Sequence, residues 1–314
     1  MKEIGGYFEM SFDNKQPFHK NAIELNTARN CFEYIILARQ VKKIYIPHYT
    51  CEVMLEPLKR HNINYEYYYL DKNLDPIIPD SFQKDDFLLY TNYFGIKQRT
   101  VESLSFTIRH LIIDNSMAFY AKPLENIDTF YSARKFFGVS DGAYLYSNMI
   151  MDEKIEIDYS YNRMLHLFKR IELGANDAYH FFLENDFSLY NQPIRQMSKI
   201  TRQIMSSINY SDIKNIRERN FLFLHSFLVG YNELQIDISY LNGPMFYPFL
   251  NTLELKTKLI ANKIYVPTLW RNALESAENG SFEHGLTNNL LALPIDQRYA
   301  IEDMKFILKI IDLN

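Results

Sequence analysis

The residues whose types and spacing could do chemistry fall in two short stretches. HLIIDNSMAFY, residues 110–120, carries Asp114 at the end of an apolar run. DTFYSARKFFGVSDGAY, residues 128–144, carries one lysine, Lys135, among aromatics, with two glycines and an acid behind it. If both runs are neighbouring strands of an open α/β sheet, their carboxyl ends bring acid and amine to the edge where such sheets bind ligands. Two readings of the pair are open. It is a plain salt bridge, with Asp114 also able to cap the following turn. Alternatively, Lys135 is a Schiff-base lysine and Asp114 is the carboxylate that keeps a pyridine nitrogen protonated, so that the ring draws electrons. A lysine used as a base needs an amine tuned below its usual pKa of about 10.4. Desolvating aromatic neighbours and an adjacent Arg134 both act in that direction.

A third stretch, ELNTARN (24–30), is a polar turn opening a helical pattern. Such a start offers free backbone N–H groups and a positive dipole end to a phosphate, although Asn-Thr before a helix is also an ordinary N-cap.

These residues need a scaffold, and the surrounding pattern supplies one. KKIYIP (42–47), YEYYYL (65–70), DFLLYTNYF (86–94), HLIID (110–114), DTFYSA (128–133) and AYLYS (143–147) read as strands. Between them TARNCFEYIILARQ (27–40), CEVMLEPLKRH (51–61) and TVESLSFTIR (100–109) read as helices. The alternation predicts a mostly parallel central sheet with helices on both faces. Long helical patterns follow in residues 159–228, including YNRMLHLFKRIELGANDAYHFFLEND and IKNIRERNFLFLHSFL. The last segment reads as strand PMFYPFLN, helix LELKTKLIANKI, strands YVPTLW and LLALPI, and closing helix AIEDMKFILKIID. The expected division is a large domain over 1–215 with a helical extension, and a small α+β domain over 216–314.

Composition narrows the function. The 314 residues carry 34 Lys and Arg against 38 Asp and Glu, a net charge of -4, which argues against a dedicated nucleic-acid binder. Cys31 and Cys51 are the only cysteines, too few for a disulfide scaffold, and suit a reducing compartment. MKEIGGYFEM has neither the basic nor the apolar region of a secretion signal, and no stretch approaches about 20 apolar residues. The expectation is a cytoplasmic protein without a membrane segment. His48 and His61 are isolated, so no metal site is expected. The basic runs FKRIE and RERN alternate with acids and read as solvated helix faces. An aromatic share of 15% predicts a large buried surface or an oligomer.

In order along the chain, NTARN, IPHYTCEVMLEPLKRHNINYEYYYLD, YTNYFG, IIDNSMAFY, SARKFFGVSDGAYLY, GPMFYPFLN…IYVPTLW and LPIDQRYAIEDMKFILKII resemble the DegT/StrS-type sugar aminotransferases, within the fold type I pyridoxal-phosphate enzymes. The resemblance spans nearly the whole chain. It implies pyridoxal 5'-phosphate as cofactor, with Lys135 as its covalent lysine and Asp114 as partner of the pyridine nitrogen. Thr27 and Ala28 would bind the phosphate, Ser132 would contact phosphate or ring, and Asn162 would reach the partner's phosphate across a homodimer. Arg271 would lie near the entrance. The substrates implied are a nucleotide-linked keto-sugar and an amino-acid donor such as glutamate. The chain departs from the family pattern in three places. The helix start lacks the usual glycine. Cys51 stands where a ring-stacking aromatic is expected, which points to Tyr49 for that contact. Met117 stands where a Gln or His usually faces the ring oxygen. These departures motivate an alternative, a catalytically silent protein of the same fold that binds a nucleotide sugar or a partner protein. A sugar dehydratase is disfavoured, because that branch tends to replace the lysine with histidine.

Overall fold

The computed structural model describes residues 4–252 and 254–312. In chain order the first part holds β1 (Ile23–Leu25), α1 (Ala28–Ala38), β2 (Lys43–Pro47), α2 (Leu55–Arg60), β3 (Asn64–Leu70), β4 (Pro76–Ile77), β5 (Phe87–Thr91), α3 (Gln98–Thr107), β6 (Leu111–Asp114), β7 (Asp128–Ser132) and β8 (Ala143–Tyr146). Then come α4 (Leu165–Leu173), α5 (Ala175–Ser188), α6 (Lys199–Ser206) and α7 (Tyr210–Leu228). The last part holds β9 (Phe246–Leu250), α8 (Leu255–Ala261), α9 (Ala273–Ser276), α10 (Phe282–Asn289), β10 (Leu290–Pro294) and α11 (Ile301–Ile311).

The strands of the first part form an eight-stranded sheet in the order β1-β8-β7-β6-β5-β2-β3-β4. Pairings from β3 through β2, β5 and β6 to β7 are parallel, whereas β4, β8 and β1 join antiparallel. Strands covered on both faces have no solvent side to alternate toward, and β6 and β7 are buried at every position. β9 and β10 form a separate antiparallel pair. The mixed α/β architecture with a mostly parallel sheet is the one the sequence pattern predicts.

Several elements differ from the sequence reading, each for a local reason. The run 86–94 ends as a strand at Thr91, because Phe94 takes a left-handed φ of 58° inside the turn Tyr93–Gly95. The helical run 161–186 is cut at Gly174, whose φ of 87° separates α4 from α5. YVPTLW is not a strand: Pro267 offers no N–H to a ladder, and Trp270 takes a φ of 47°. RERN is not a solvated face either. Arg217 is 2% exposed and Asn220 is buried, both on the stripe that continues through Phe221, Leu224 and Leu228. The short β1 and β4 and the helices α9 and α10 have no counterpart in the sequence pattern, whereas α6 falls inside the expected helical stretch 159–228. Leu253, where the helix before Ile264 was expected to begin, lies outside the described residues.

Residue 215 falls inside α7, and one hydrophobic cluster runs from Tyr45, Tyr90 and Ile113 of the large sheet to Tyr247, Leu291 and Ile307 of the last part. A second cluster, with Ile44, Leu89, Ile112 and Phe130, packs the opposite sheet face against Cys31, Phe32 and Ile35 of α1.

The segment before β1 is fastened by His19, which is 2% exposed among the rings of Phe119, Tyr131, Tyr144 and Tyr146. Its Nε2 lies 3.0 Å from the Phe119 carbonyl and its Nδ1 lies 3.2 Å from the Tyr146 hydroxyl, a pairing suited to the neutral ring. Burial drives its pKa down to about 3, against a smaller opposing pull from the Phe119 carbonyl. Burial also lowers His48, to about 4. The unfolded chain takes up these protons near pH 6.5 while the folded chain refuses them, so stability is full above pH 6.5 and is lost as pH falls toward 3. Each such histidine costs about 1.4 kcal/mol per pH unit in that window. Burial lowers His166 and His225 as well, so the urea midpoint is expected to drop markedly between pH 7.5 and pH 5, and His19→Gln is expected to make that drop shallower without abolishing it. An unchanged slope in that variant would remove His19 from this role.

Candidate active site

The topology brings the chemistry-bearing residues to one edge. β8 runs antiparallel to β7, and β1 antiparallel to β8, so β1 points the same way as β7. Its carboxyl end therefore delivers Thr27 and the start of α1 to the edge where β5, β6 and β7 end. Asp114 is the last residue of β6, in register with Thr91 on β5 and Phe130 on β7. Side chains two apart on a strand share a face, so Asp114 follows Ile112, and Ser132 follows Phe130, onto the face covered by α1. The Cys31 thiol of α1 packs in the layer of Ile112 and Phe130, and it is pushed well above its ordinary range by burial first and by the charge of Asp114 second. Thr27 lies about one helical turn before Cys31, the residue on which the charge of Asp114 acts.

Asp114 Oδ1 accepts the backbone N–H of Ser116 at 2.7 Å. Lys135 lies in the turn after β7, where the N–H groups of Phe136 and Phe137 return to the Ala133 carbonyl. Its Nζ donates to Ser116 Oγ at 2.9 Å. Amine and acid thus converge on one residue, while no ion pair joins them. Arg134 is turned away, to Asp186 of α5 at 2.8 Å.

Two clamps hold the lysine turn. Asp141 is buried and accepts from the Ser198 N–H and hydroxyl, both at 2.8 Å, and from the Thr201 hydroxyl. Gly142 N–H donates to the Asn26 carbonyl at 2.6 Å, tying the turn to the residue before Thr27. A Cβ on Gly142, whose φ is +112°, would stand 2.8 Å from Thr201 Cγ2, so glycine is required there. On the other side the Arg217 guanidinium lies 4.5 Å over the Phe136 ring and donates to the Pro244 and Met245 carbonyls at 3.2 Å. Gln297 bridges Arg217 and the Phe136 carbonyl. Burial pulls the Arg217 pKa down to about 10, which leaves it charged at neutral pH.

Thr27 caps α1: its hydroxyl accepts the Asn30 N–H at 3.2 Å and donates to Asn30 Oδ1 at 2.5 Å. The first-turn N–H groups of Ala28 and Arg29 have no carbonyl four residues back to bind. Arg29, unremarked in the sequence, is buried against Glu56 at 2.5 Å. Residues 192–195 lie over this start, their carbonyls accepting from Asn26 and Asn30.

The remaining expected residues divide. Cys51 is half-buried on the α1 side of the sheet. Tyr49 is fully buried on the other side, edge-on to Trp270 at 4.5 Å, and Met117 is buried in that same cluster. The structure does not bring these two to the face of Asp114. Asn162 is exposed in the turn Tyr161–Arg163. Arg271 is exposed after Trp270. Ser116, Asp141 and Arg217 were missed as site residues. The signal was present for Asp141, in SDG behind the lysine, and for Arg217, on an apolar stripe.

Orphaned polar atoms, two hydroxyls that can donate and one amide oxygen that accepts, suit a polar ligand such as a phosphate-bearing pyridine. Thr50 Oγ1, Thr91 Oγ1 and Asn115 Oδ1 are buried without a partner, each at or just beyond the carboxyl end of β2, β5 or β6. Orphaned polar atoms inside a protein carry a desolvation cost that a bound polar ligand relieves. Among the described residues no group of three or more His, Cys, Asp or Glu could hold a metal ion. No helix among them is long and apolar enough to cross a membrane.

No protein-family model and no curated protein matches the chain. Solved structures do. The sugar aminotransferase CalS13 from Micromonospora echinospora is 12% identical, with 93% of this chain and 87% of that one covered at a TM-score of 0.64. A DegT DnrJ EryC1 StrS aminotransferase from Brucella abortus is 11% identical, with 92% and 84% covered at 0.61. The E. coli GDP-4-keto-6-deoxy-D-mannose-3-dehydratase with bound hydrated PLP is 12% identical, with 92% and 87% covered at 0.62. The chain therefore has the fold of the DegT-type sugar aminotransferases over nearly its whole length.

Proposed function

We propose that this chain is a pyridoxal-phosphate-dependent aminotransferase acting on a nucleotide-linked keto-sugar. The observation that carries the reading is the convergence of Lys135 and Asp114 on Ser116, at the sheet edge where α1 begins. When bound, pyridoxal phosphate supplies an aldehyde that captures amines and a ring that accepts electrons. Lys135 would hold it covalently and, once displaced by the amino donor, would take and return the proton at the carbon bearing nitrogen. Asp114 would keep the ring nitrogen protonated. The N–H groups of Ala28 and Arg29 would bind the phosphate together with the α1 dipole. The Thr27 hydroxyl, engaged with Asn30, would shape that start and move to the phosphate only by giving up Asn30. Ser132, buried at the end of β7 on the same sheet face, would contact the phosphate or ring.

The same proposal includes a homodimer in the cytoplasm, with residues 1–215 as the cofactor-binding part and 216–314 as the small one. Its support is a set of exposed apolar side chains on α4 and α5, Ile171, Tyr179 and Phe187 among them, and two free thiols. The solved structures with this fold include sugar aminotransferases and a dehydratase of a GDP-linked keto-sugar, which favours a nucleotide-linked substrate.

The test is the absorption spectrum of the purified protein with added pyridoxal phosphate, followed by titration with glutamate. A yellow protein that bleaches on titration supports the reading. A second reading is a silent binder of the same fold, favoured by Cys51 and Met117 at the expected contact positions and by Tyr49 on the far sheet face. A protein that stays colourless with excess cofactor supports it.

A further inference from the structure

Opposite charges close together inside a protein normally collapse into an ion pair, because little water screens them. Asp114 is buried and Lys135 half-buried at one sheet edge, yet they do not pair. Ser116 stands between them and uses two different groups: its N–H binds Asp114 Oδ1 at 2.7 Å and its hydroxyl accepts from Lys135 Nζ at 2.9 Å. The turn Asn115–Ala118, closed by the Ala118 N–H to the Asn115 carbonyl, fixes both groups of this buried serine relative to the strand.

We propose that Ser116 is a positioning residue, a spacer that holds the Lys135 amine off the Asp114 carboxylate so that amine and acid each face the site unneutralised. Its use in catalysis rests on the aminotransferase reading; the spacing itself does not. Removing the hydroxyl leaves the backbone N–H bond to Asp114 intact and frees the amine to swing onto the acid. A paired ammonium is a poor nucleophile.

The experiment is competitive acetylation of the purified chain by acetic anhydride at neutral pH, without cofactor, read by mass spectrometry of the peptide carrying Lys135. Ser116→Ala and Ser116→Gly are each expected to slow Lys135 acetylation about tenfold relative to exposed lysines, the effect of one nearby opposite charge. Ser116→Thr keeps the hydroxyl and is expected to stay close to the unaltered chain. In an Asp114→Asn background, Ser116→Ala is expected to have no further effect, since no acid remains to pair with. Circular dichroism on each variant checks that it folds. An unchanged rate in the Ala and Gly variants overturns the spacer, as does equal slowing with and without Asp114. If the unaltered chain stays colourless with pyridoxal phosphate while this pattern holds, the aminotransferase reading fails and the spacing stands. If colour forms while the hydroxyl proves irrelevant, the reverse is true.

Discussion

Lys135→Ala should leave a folded protein that retains no cofactor after borohydride reduction, where the unaltered chain gains the mass of one reduced pyridoxal group. The lysine is half-buried in a turn whose position depends on Asp141, Gly142 and Arg217 rather than on its own amine. Its loss removes one hydrogen bond to Ser116, which puts the stability cost at about 1 kcal/mol. Transamination should fall by about 10²–10⁴-fold, the range for loss of a positioned proton-transfer group, and further if covalent attachment is itself needed for turnover. Lys135→Arg sharpens the result. It keeps the positive charge but cannot form the covalent link, so it should be as inactive as the alanine variant. Reduced cofactor found on another lysine in either variant, with activity retained, would refute the assignment.

Asp114→Asn tests the acid alone. An asparagine oxygen can still accept the Ser116 N–H, so the turn after β6 should persist and circular dichroism should not change. What disappears is the charge. If Asp114 stabilises a protonated ring nitrogen, half-reaction rates with an amino donor should fall by about 10²–10³-fold, comparable to loss of one electrostatic contact aimed at developing charge. The cofactor should remain attached to Lys135, so the colour stays while turnover goes. A variant that turns over at nearly the unaltered rate would return Asp114 to the role of a turn cap.

The large-sheet strands were legible because buried parallel strands must be nearly continuous apolar runs. LIID, FLLYT and KIYIP are short, apolar and bounded by polar residues. What the run of residues hides is which face each strand presents. Tyr49 and Cys51 are two positions apart in one sequence motif, yet Tyr49 joins the cluster beneath the small sheet and Cys51 the layer of α1. Spacing along a non-strand turn does not carry the alternation that would have told them apart. Lys135 and Asp114 could be named as a pair from sequence. Ser116 could not, because a serine beside an acid is common and its meaning lies only in what its two ends touch. Arg217 was misread since a charge next to other charges suggests solvent; its position on the stripe with Phe221 and Leu224 was the better guide.

The Arg217 bridge sets a mechanical limit on the enzyme proposed above. One guanidinium holds the carbonyls ahead of the small sheet while lying on the ring directly after Lys135. A hinge that swung the carboxyl-terminal third outward to admit a bulky sugar would have to tear this anchor or drag the reactive amine with it. Entry and exit would therefore fall to surface segments elsewhere around the rim, and the two halves of the chain would work as a single stiff body.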